Sequence, residues 1–390
     1  MTEIIRGLDG IVAAETRLSR VDGQAGRLTI GGFPIGDLAP RASYEEVLFL
    51  LWNDRLPTAS ELGELRAELA RRRGIPDVGA RAMIEAARSD IHPMDALRIG
   101  AASLALRDRA PLSETRQANT DRALDLIAAF PTLVAAYWRA SIGTAPVDPD
   151  PDLGHAANYL YMLTGEKPLG SAVRALETYL NTVVDHGMNA STFAARVIVS
   201  TRSDMNSAIC GAIGALKGPL HGGAPGPALD MVFAIQQESL RARRDVADVA
   251  REWVEKKISS GERIMGFGHR VYRVRDPRAE VLDAAAALLF AGRDDRAIYV
   301  DARIVEKEIL AALARAKPGR RLRTNVEFYT ALVLHGIGLN VDLFSPTFAV
   351  GRVGGWTAHV LEQIDDDRLI RPRAAYTGVF DREWTSLEDR

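Results

Sequence analysis

Four glycines and two prolines surround a single histidine, His221, in the stretch GPLHGGAPG at residues 218 to 226. Such a stretch is too rich in helix-breaking residues for a helix or a strand, so it predicts a loop. Loops and helix ends place side chains in clefts and leave backbone N–H groups unpaired. A histidine there is a better catalytic candidate than one on a helix face.

Five more glycine-rich or proline-rich stretches interrupt the helical pattern and carry side chains that can do chemistry. They are VVDHGMNAST with His186, RIMGFGHRVYRVRDPRAEVL with His269, Arg273 and Arg278, NVEFYTALVLHGIG with Glu327, FAVGRVGGWTAHVLEQ with Arg352, and RLIRPRAAYTG with Arg371. Neutral imidazoles and one carboxylate suit the abstraction of a proton beside a carbonyl group. Arginines suit a small polycarboxylate, because a guanidinium grips a carboxylate with two hydrogen bonds.

Structural roles compete with these functional ones when residue types alone are considered. The three loop histidines could each bond only a backbone carbonyl, and Glu327 could be a carboxylate that caps a helix. Arg273, Arg275 and Arg278 could form a solvated basic turn. We interpret the remaining histidines as packed or capping residues, since they lie on or near predicted helices: His92, His155, His335 and His359.

Composition and charge narrow the class of protein. The 390 residues carry 49 basic and 51 acidic side chains, so a net charge of −2 gives no general attraction for nucleic acid. No apolar run approaches the roughly 20 residues of a membrane span, and charges interrupt each apolar stretch at the N-terminus. The single cysteine, Cys210, has no partner for an internal disulfide. We therefore expect a cytoplasmic protein.

Several motif classes are missing from the sequence. The histidines lack zinc-motif spacing, and there is neither a phosphate-binding loop nor a G-x-S-x-G elbow. GFGHRV lacks the third glycine of a dinucleotide fingerprint. These observations argue against a metal site and against most NTPases, serine hydrolases and dehydrogenases.

The pattern of elements predicts an all-α protein with a minor β element. Ser43 with Glu46, and Thr58 with Glu61, have the spacing of capping boxes. Helical periodicity follows at 119–142, 155–165, 171–185, 190–201, 227–239, 245–258, 277–291 and 301–315. Two short runs in which apolar and polar residues alternate flank Gly23 and Gly26, and they predict a β-hairpin near the start of the chain.

The chain resembles the citrate synthase family over nearly its whole length. HPMDALR, NASTFAARV, GPLHGG, GFGHRVYRVRDPRA and RPRAAYTG are similar to family motifs and occur in the family's order. The resemblance implies a two-domain helical fold that forms a homodimer. The large domain would comprise residues 1–221 and 326–390, and the small domain, residues 222–325, would close over the substrate.

The resemblance also implies a role for each motif residue. His221 would hydrogen-bond the thioester carbonyl of acetyl-CoA, His269 would polarise the ketone of oxaloacetate, and Glu327 would be the base. The oxaloacetate ligands would be His186, His269, Arg278, Arg352 and, from the partner subunit, Arg371. Coenzyme A would lie against Arg263, Ile264, Met265, Gly266, Gly268 and Arg273. No further cofactor is implied, since the coenzyme A thioester is a substrate.

Two residues depart from the family pattern. The family base is usually the aspartate of NVDFY, whereas this chain has Glu327, and Pro225 stands where an asparagine commonly follows HGGA. One extra methylene moves a carboxylate by roughly an ångström, a displacement that can cost about a hundredfold in rate. We expect condensation of acetyl-CoA with oxaloacetate to citrate. The alternatives are 2-methylcitrate synthesis from propionyl-CoA and a catalytically weak protein that binds acyl-CoA or oxaloacetate.

Overall fold

The computed structural model describes residues 4–8, 10–107, 115–221, 225–269, 271–272, 274–316, 319 and 322–390; the side chain of Pro225 lies outside this description. These residues form sixteen α-helices and three short strands. The helices of the first half are α1 (Ile35–Leu38), α2 (Tyr44–Asn53), α3 (Ala59–Arg71), α4 (Asp77–Arg88), α5 (Pro93–Ser103), α6 (Arg116–Ser141), α7 (His155–Thr164) and α8 (Gly170–Val183). Those of the second half are α9 (Ala190–Val199), α10 (Met205–Leu216), α11 (Pro225–Ala242), α12 (Val246–Ser259), α13 (Pro277–Leu289), α14 (Arg296–Ala316), α15 (Val326–Gly336) and α16 (Phe344–Asp366). The prediction of an all-α fold is confirmed.

Local sequence signals set where α2 and α3 begin. The Ser43 side chain accepts a hydrogen bond from the Glu46 backbone, and the Glu46 carboxylate accepts one from the Ser43 backbone at 2.7 Å. Thr58 and Glu61 repeat this arrangement at the start of α3. Both predicted capping boxes are confirmed.

The β element is a three-stranded antiparallel sheet in the order β1 (Ser19–Asp22), β2 (Arg27–Ile30) and β3 (Phe33–Pro34). The predicted hairpin around Gly23 and Gly26 is confirmed, and β3 extends it by two residues. Leu28 and Ile30 point into the core and fix the hairpin to the helices.

Helix α16 lies in the middle of the molecule and packs against α6, α8 and α9. The glycines at 351, 354 and 355 predicted a break near Arg352, and that prediction is wrong because they allow close helix packing instead. A methyl group on Gly351 would lie 2.8 Å from Val183 Cγ2, and one on Gly355 would overlap the Val184 carbonyl. Arg352 therefore belongs to a continuous helix.

The stretch from Asn325 to Gly338 was also predicted as an interruption, and this too is wrong, since most of it is helix α15. The apolar side chains between its polar ends are buried, so tertiary packing stabilises the helix. Glu327 lies in its first turn.

The boundaries of the two domains stay a prediction. The boundary at 221/222 meets residues outside the described part of the chain. Helix α13, in the predicted small domain, contacts α8 and α1 of the predicted large domain. Among the described residues, no helix has the length and apolar composition that crossing a bilayer requires.

Candidate active site

His186 follows α8 and meets residues from a distant loop. Its Nε2 lies 3.1 Å from the Tyr272 hydroxyl, and its ring is 5.7 Å from that of His269, centroid to centroid. Burial, together with the positive charges of Arg278 and Arg352, lowers the pKa of His186 well below its usual value. The ring is therefore neutral at physiological pH.

His269 is oriented by the backbone that follows it. Its Nδ1 accepts hydrogen bonds from the N–H groups of Val271 at 3.0 Å and Tyr272 at 3.1 Å. Burial, with a smaller effect of Arg278, lowers the pKa of His269 to about 4, so the ring is neutral and carries its proton on Nε2. This second nitrogen is left as a donor.

Arg278 lies in the first turn of α13 and is held by the residue that caps the helix. The Asp276 carboxylate accepts from Arg278 Nε at 3.0 Å and from Nη2 at 2.8 Å, and the pair is buried. Arg278 Nη2 also lies 3.3 Å from His269 Nε2. The two nitrogens are thus close enough together for one acceptor oxygen to bind both.

Arg352 brings a second buried guanidinium from α16. Its Nε donates to the Val183 carbonyl, and its Cζ lies 4.6 Å from the centroid of the Phe348 ring. In the part of the chain that the structure describes, its two terminal nitrogens make no hydrogen bond. Burial lowers the pKa of Arg352 to about 10 but leaves the group charged at neutral pH. A buried cation with free donors attracts an anionic ligand.

Glu327 supplies a carboxylate beside these arginines. Its backbone N–H donates to the side chain of Asn325, the residue that caps α15, and its Oε2 is buried without a partner in the described residues. Burial raises the pKa of Glu327 to about 7, although Arg278 and Arg352 oppose this. A carboxylate that titrates near neutral pH and has an unpaired oxygen is suited to accept a proton.

His221 lies in the turn after α10. Its Nε2 is 2.8 Å from the Ser191 hydroxyl and accepts from the Ser191 backbone N–H at 3.3 Å. Trp356 Nε1 fixes the hydroxyl by donating to it at 3.0 Å. Burial lowers the pKa of His221 to about 4, so the neutral ring carries its proton on Nδ1. That nitrogen is the second neutral donor of the cluster.

A buried polar network of Asp185, His359 and Arg196 supports the loop that carries His186. Asp185 Oδ1 lies 3.1 Å from His359 Nε2, and His359 Nδ1 lies 3.0 Å from Arg196 Nη1. Burial opposes ionisation of Asp185, but its hydrogen bond and attraction to His359 keep its pKa below the usual value. Removing one member would leave a buried polar group unpaired. His359 is thus a packed residue, as the sequence predicted.

The segment 264–268 lies beside α15. Phe267 pairs with Thr324 in an antiparallel bridge, and the Gly268 carbonyl accepts from the Asn325 side chain at 2.8 Å. Gly266 and Gly268 have φ angles of +83° and +89°, which favour glycine. Ile264 is buried in this segment and Met265 is partly buried.

Two of the other predicted site residues, Arg371 and Arg263, do not join the cluster. Arg371 lies in an exposed C-terminal segment, with no hydrogen bond or ion pair to the described residues, and Arg263 is also exposed. Arg273 lies outside the described residues. The structure thus brings together His186, His221, His269, Arg278, Arg352 and Glu327.

Sequence reasoning missed the residues that orient the histidines and arginines. Asp276 precedes a proline in DPR, a helix-start signal that identifies it as a cap and, by position, as a partner for Arg278. Ser191 follows the helix cap Asn189, but nothing local indicates that it meets His221, which lies 30 positions away. Tyr272 and Trp356 carry no local signal either.

Comparison with known proteins gives matches over the whole chain. The family model for the citrate synthase C-terminal domain matches residues 7–373. A citrate synthase from Haloferax volcanii is 42% identical over 391 residues, covering 100% of this chain and 99% of the relative. A 2-methylcitrate synthase from Mycobacterium tuberculosis is 39% identical over 380 residues, covering 96% and 91%.

A solved structure matches the fold over the same length. The citrate synthase of Thermoplasma acidophilum, solved as a ternary complex, has a TM-score of 0.89 at 30% identity, and the match covers 100% of both chains. The ligands of that complex are carboxymethyl coenzyme A and oxaloacetate. The resemblance read from the sequence motifs is therefore confirmed.

The buried Glu327 predicts a pH-dependent effect on stability. Its pKa rises from an ordinary 4.5 to about 7 on folding, so the folded chain holds a proton that the unfolded chain has released between these values. Its contribution to stability therefore falls as the pH rises through this window. We expect Glu327→Gln to raise the free energy of unfolding by roughly 3 kcal/mol at pH 8, and by only about 1 kcal/mol at pH 5.

Denaturant unfolding of both proteins at the two pH values measures this difference. Glu280→Gln, at an exposed position in the first turn of α13, is the matched control and should change stability little at either pH. An equal effect of Glu327→Gln at pH 5 and pH 8 would contradict the titration of this carboxylate.

Proposed function

The chain belongs to the citrate synthase family, and we propose that it condenses acetyl-CoA with oxaloacetate and water to form citrate and coenzyme A. The observation that carries this proposal is the unpaired, buried oxygen of Glu327 beside Arg278 and Arg352. It supports a base at Glu327 next to two cations that suit a dicarboxylate. Full-length citrate synthase relatives support the same activity.

In the first step, Glu327 takes a proton from the methyl group of acetyl-CoA. A methyl group beside a thioester is a very weak acid, so the forming enolate oxygen must be stabilised as the proton leaves. His221 supplies that donor from Nδ1, since its Nε2 faces Ser191. Because the ring is neutral, it donates a hydrogen bond without being a strong acid.

In the second step, the nucleophilic carbon attacks the ketone carbon of oxaloacetate. His269 Nε2–H and Arg278 Nη2 are close enough together for both to donate to the ketone oxygen as it gains negative charge. Arg352 and Arg278 balance the carboxylates, and His186 borders the same space. Water then hydrolyses the citryl thioester, which releases citrate and coenzyme A.

Coenzyme A would lie along Arg263, Ile264, Met265, Gly266 and Gly268, with Arg273 on its phosphates. The positive φ angles of Gly266 and Gly268 set the path of this segment, and its backbone is held by hydrogen bonds to Arg323 and Asn325. The thioester is a substrate, and the proposed chemistry needs no additional cofactor.

We propose that the protein works as a homodimer with shared active sites, in which Arg371 of one subunit completes the site of the other. The exposed C-terminal segment carries large apolar side chains, with Tyr376 65%, Phe380 68% and Trp384 82% exposed. Such residues are more stable when another surface covers them. We also propose a cytoplasmic location, on the basis of the single cysteine.

A second candidate is 2-methylcitrate synthesis from propionyl-CoA, because a 2-methylcitrate synthase is similar over 96% of this chain. The two reactions share every proton transfer and differ only in one methyl group on the acyl chain. A catalytically weak binding protein is the third candidate, since Glu327 replaces the family's usual aspartate.

Release of free thiol on addition of oxaloacetate tests the three candidates. We expect a higher kcat/KM with acetyl-CoA than with propionyl-CoA. Faster release with propionyl-CoA would identify the 2-methylcitrate reaction. Binding of both ligands, measured by calorimetry, without thiol release from either thioester would identify the binding protein.

The base assignment predicts the effect of Glu327→Gln. Glutamine keeps the shape of the side chain but cannot accept a proton, so kcat should fall by roughly 10²–10⁴-fold. The affinity for oxaloacetate should change little. Glu327→Asp is the informative comparison. Its kcat should be lower than that of the unmodified protein if the backbone suits the longer glutamate side chain, and higher if the backbone does not. A Gln variant with nearly normal kcat would move the role to another residue.

The shared site predicts complementation between two inactive variants. Arg371→Ala and His269→Ala subunits are each inactive as homodimers, but a hybrid dimer has one site in which both residues are intact. We expect mixing, with subunit exchange verified by mass spectrometry, to restore part of the thiol-release activity. No recovery in verified hybrids would show that Arg371 acts within its own subunit or not at all.

A further inference from the structure

The turn of the N-terminal hairpin, residues 23–26, touches the loop that carries His269. The turn is shaped by Asp22, whose Oδ1 accepts from the N–H groups of Gln24 at 3.2 Å and Ala25 at 2.9 Å. Strand β2 anchors it in the core through Leu28 and Ile30. The turn is therefore held in a defined position.

Gly23 makes the closest approach to that loop. A methyl group built on Gly23 would overlap the Val271 carbonyl oxygen and lie 2.9 Å from its carbon. The φ angle of Gly23 is not in the left-handed region, so the turn itself would accept an alanine. Glycine is needed here because another backbone comes close. A methyl group would overlap backbone atoms of Val271, and rotating a side chain cannot remove that overlap.

Val271 connects this contact to the site. Its N–H donates to His269 Nδ1 at 3.0 Å, and the next N–H, from Tyr272, donates to the same atom. These two bonds orient the ring and leave the proton on Nε2. A shift of Val271 away from the hairpin would therefore move the donors that orient His269.

Strand β1 of the hairpin contacts the loop that carries His186. The Ser19 hydroxyl accepts from the Gly187 N–H at 3.0 Å, and Val21 packs against Gly187. Gly187 directly follows His186. The four residues of β1 thus connect the His186 loop with the loop after His269.

We propose that Gly23 is a positioning residue for the reaction, because its lack of a side chain lets Val271 hold His269 in the orientation that polarises the substrate ketone. The proposal rests on the proposed function for the identity of that ketone. It assigns a role to the hairpin, which touches no substrate itself.

Gly23→Ala tests the proposal, with Gly36→Ala as the matched control. Gly36 lies nearby in α1, is exposed, and has no atom within 4 Å of the added methyl group. We expect Gly23→Ala to lower kcat with oxaloacetate by roughly tenfold to a hundredfold, as for displacements of about an ångström. The control should retain the activity and melting temperature of the unmodified protein.

Infrared spectroscopy of bound oxaloacetate separates positioning from general damage. A donor on the ketone oxygen weakens the C=O bond, so the band of the ketone lies at lower frequency in the site than in water. We expect that shift to shrink in Gly23→Ala and to persist in Gly36→Ala. Equal kcat and equal bands in the two variants would overturn the proposal.

A measurement on the unmodified protein covers the case in which Gly23→Ala does not fold. Hydrogen exchange with and without oxaloacetate should show residues 19–27 and 269–276 gaining protection together. Protection of the second segment alone would overturn the proposal. The proposed function fails separately, if the unmodified protein releases no thiol from any acyl-CoA tested.

Discussion

Two arginines and a carboxylate are buried together in this protein, and the rest of the site depends on how their charges are balanced. Arg278 is paired with Asp276 through two hydrogen bonds, whereas Arg352 donates only from Nε within the described residues. Burying a charge without a partner is costly. The free donors of Arg352 therefore favour an anionic ligand, and a small dicarboxylate would meet this need better than a neutral ligand.

The same burial sets the protonation states that the proposed chemistry needs. It lowers the pKa of His221 and His269 to about 4 and raises that of Glu327 to about 7. Neutral imidazoles donate hydrogen bonds to developing oxyanions, and a weakly acidic carboxyl group is a good base once ionised. One physical cause, exclusion of water, thus acts in opposite directions on the two kinds of group.

Helix packing brings these groups to one place. Arg352 reaches the site because glycines in α16 allow α8 to approach within contact distance, and His186 lies three residues after the end of that neighbouring helix. His269 and Arg278 come from the far side, where the hairpin turn limits the position of the loop. Rigid elements therefore set the geometry, although several of the reactive side chains lie in loops.

The sequence by itself determined the helical class, the capping boxes, the hairpin and the loops with His186, His221 and His269. These features depend on short-range signals, such as a serine three residues before a glutamate or glycines beside a histidine. The same stretches singled out Glu327 and the arginines by residue type, and the family motifs gave these residues their roles. Only the tertiary structure decided that the glycines around Arg352 lie inside a helix. Glycine is needed at these positions because Val183 and Val184 of the neighbouring segment come close. The tertiary structure also decided that Ser191 orients His221, because contacts between residues distant along the chain leave no periodic trace in the sequence.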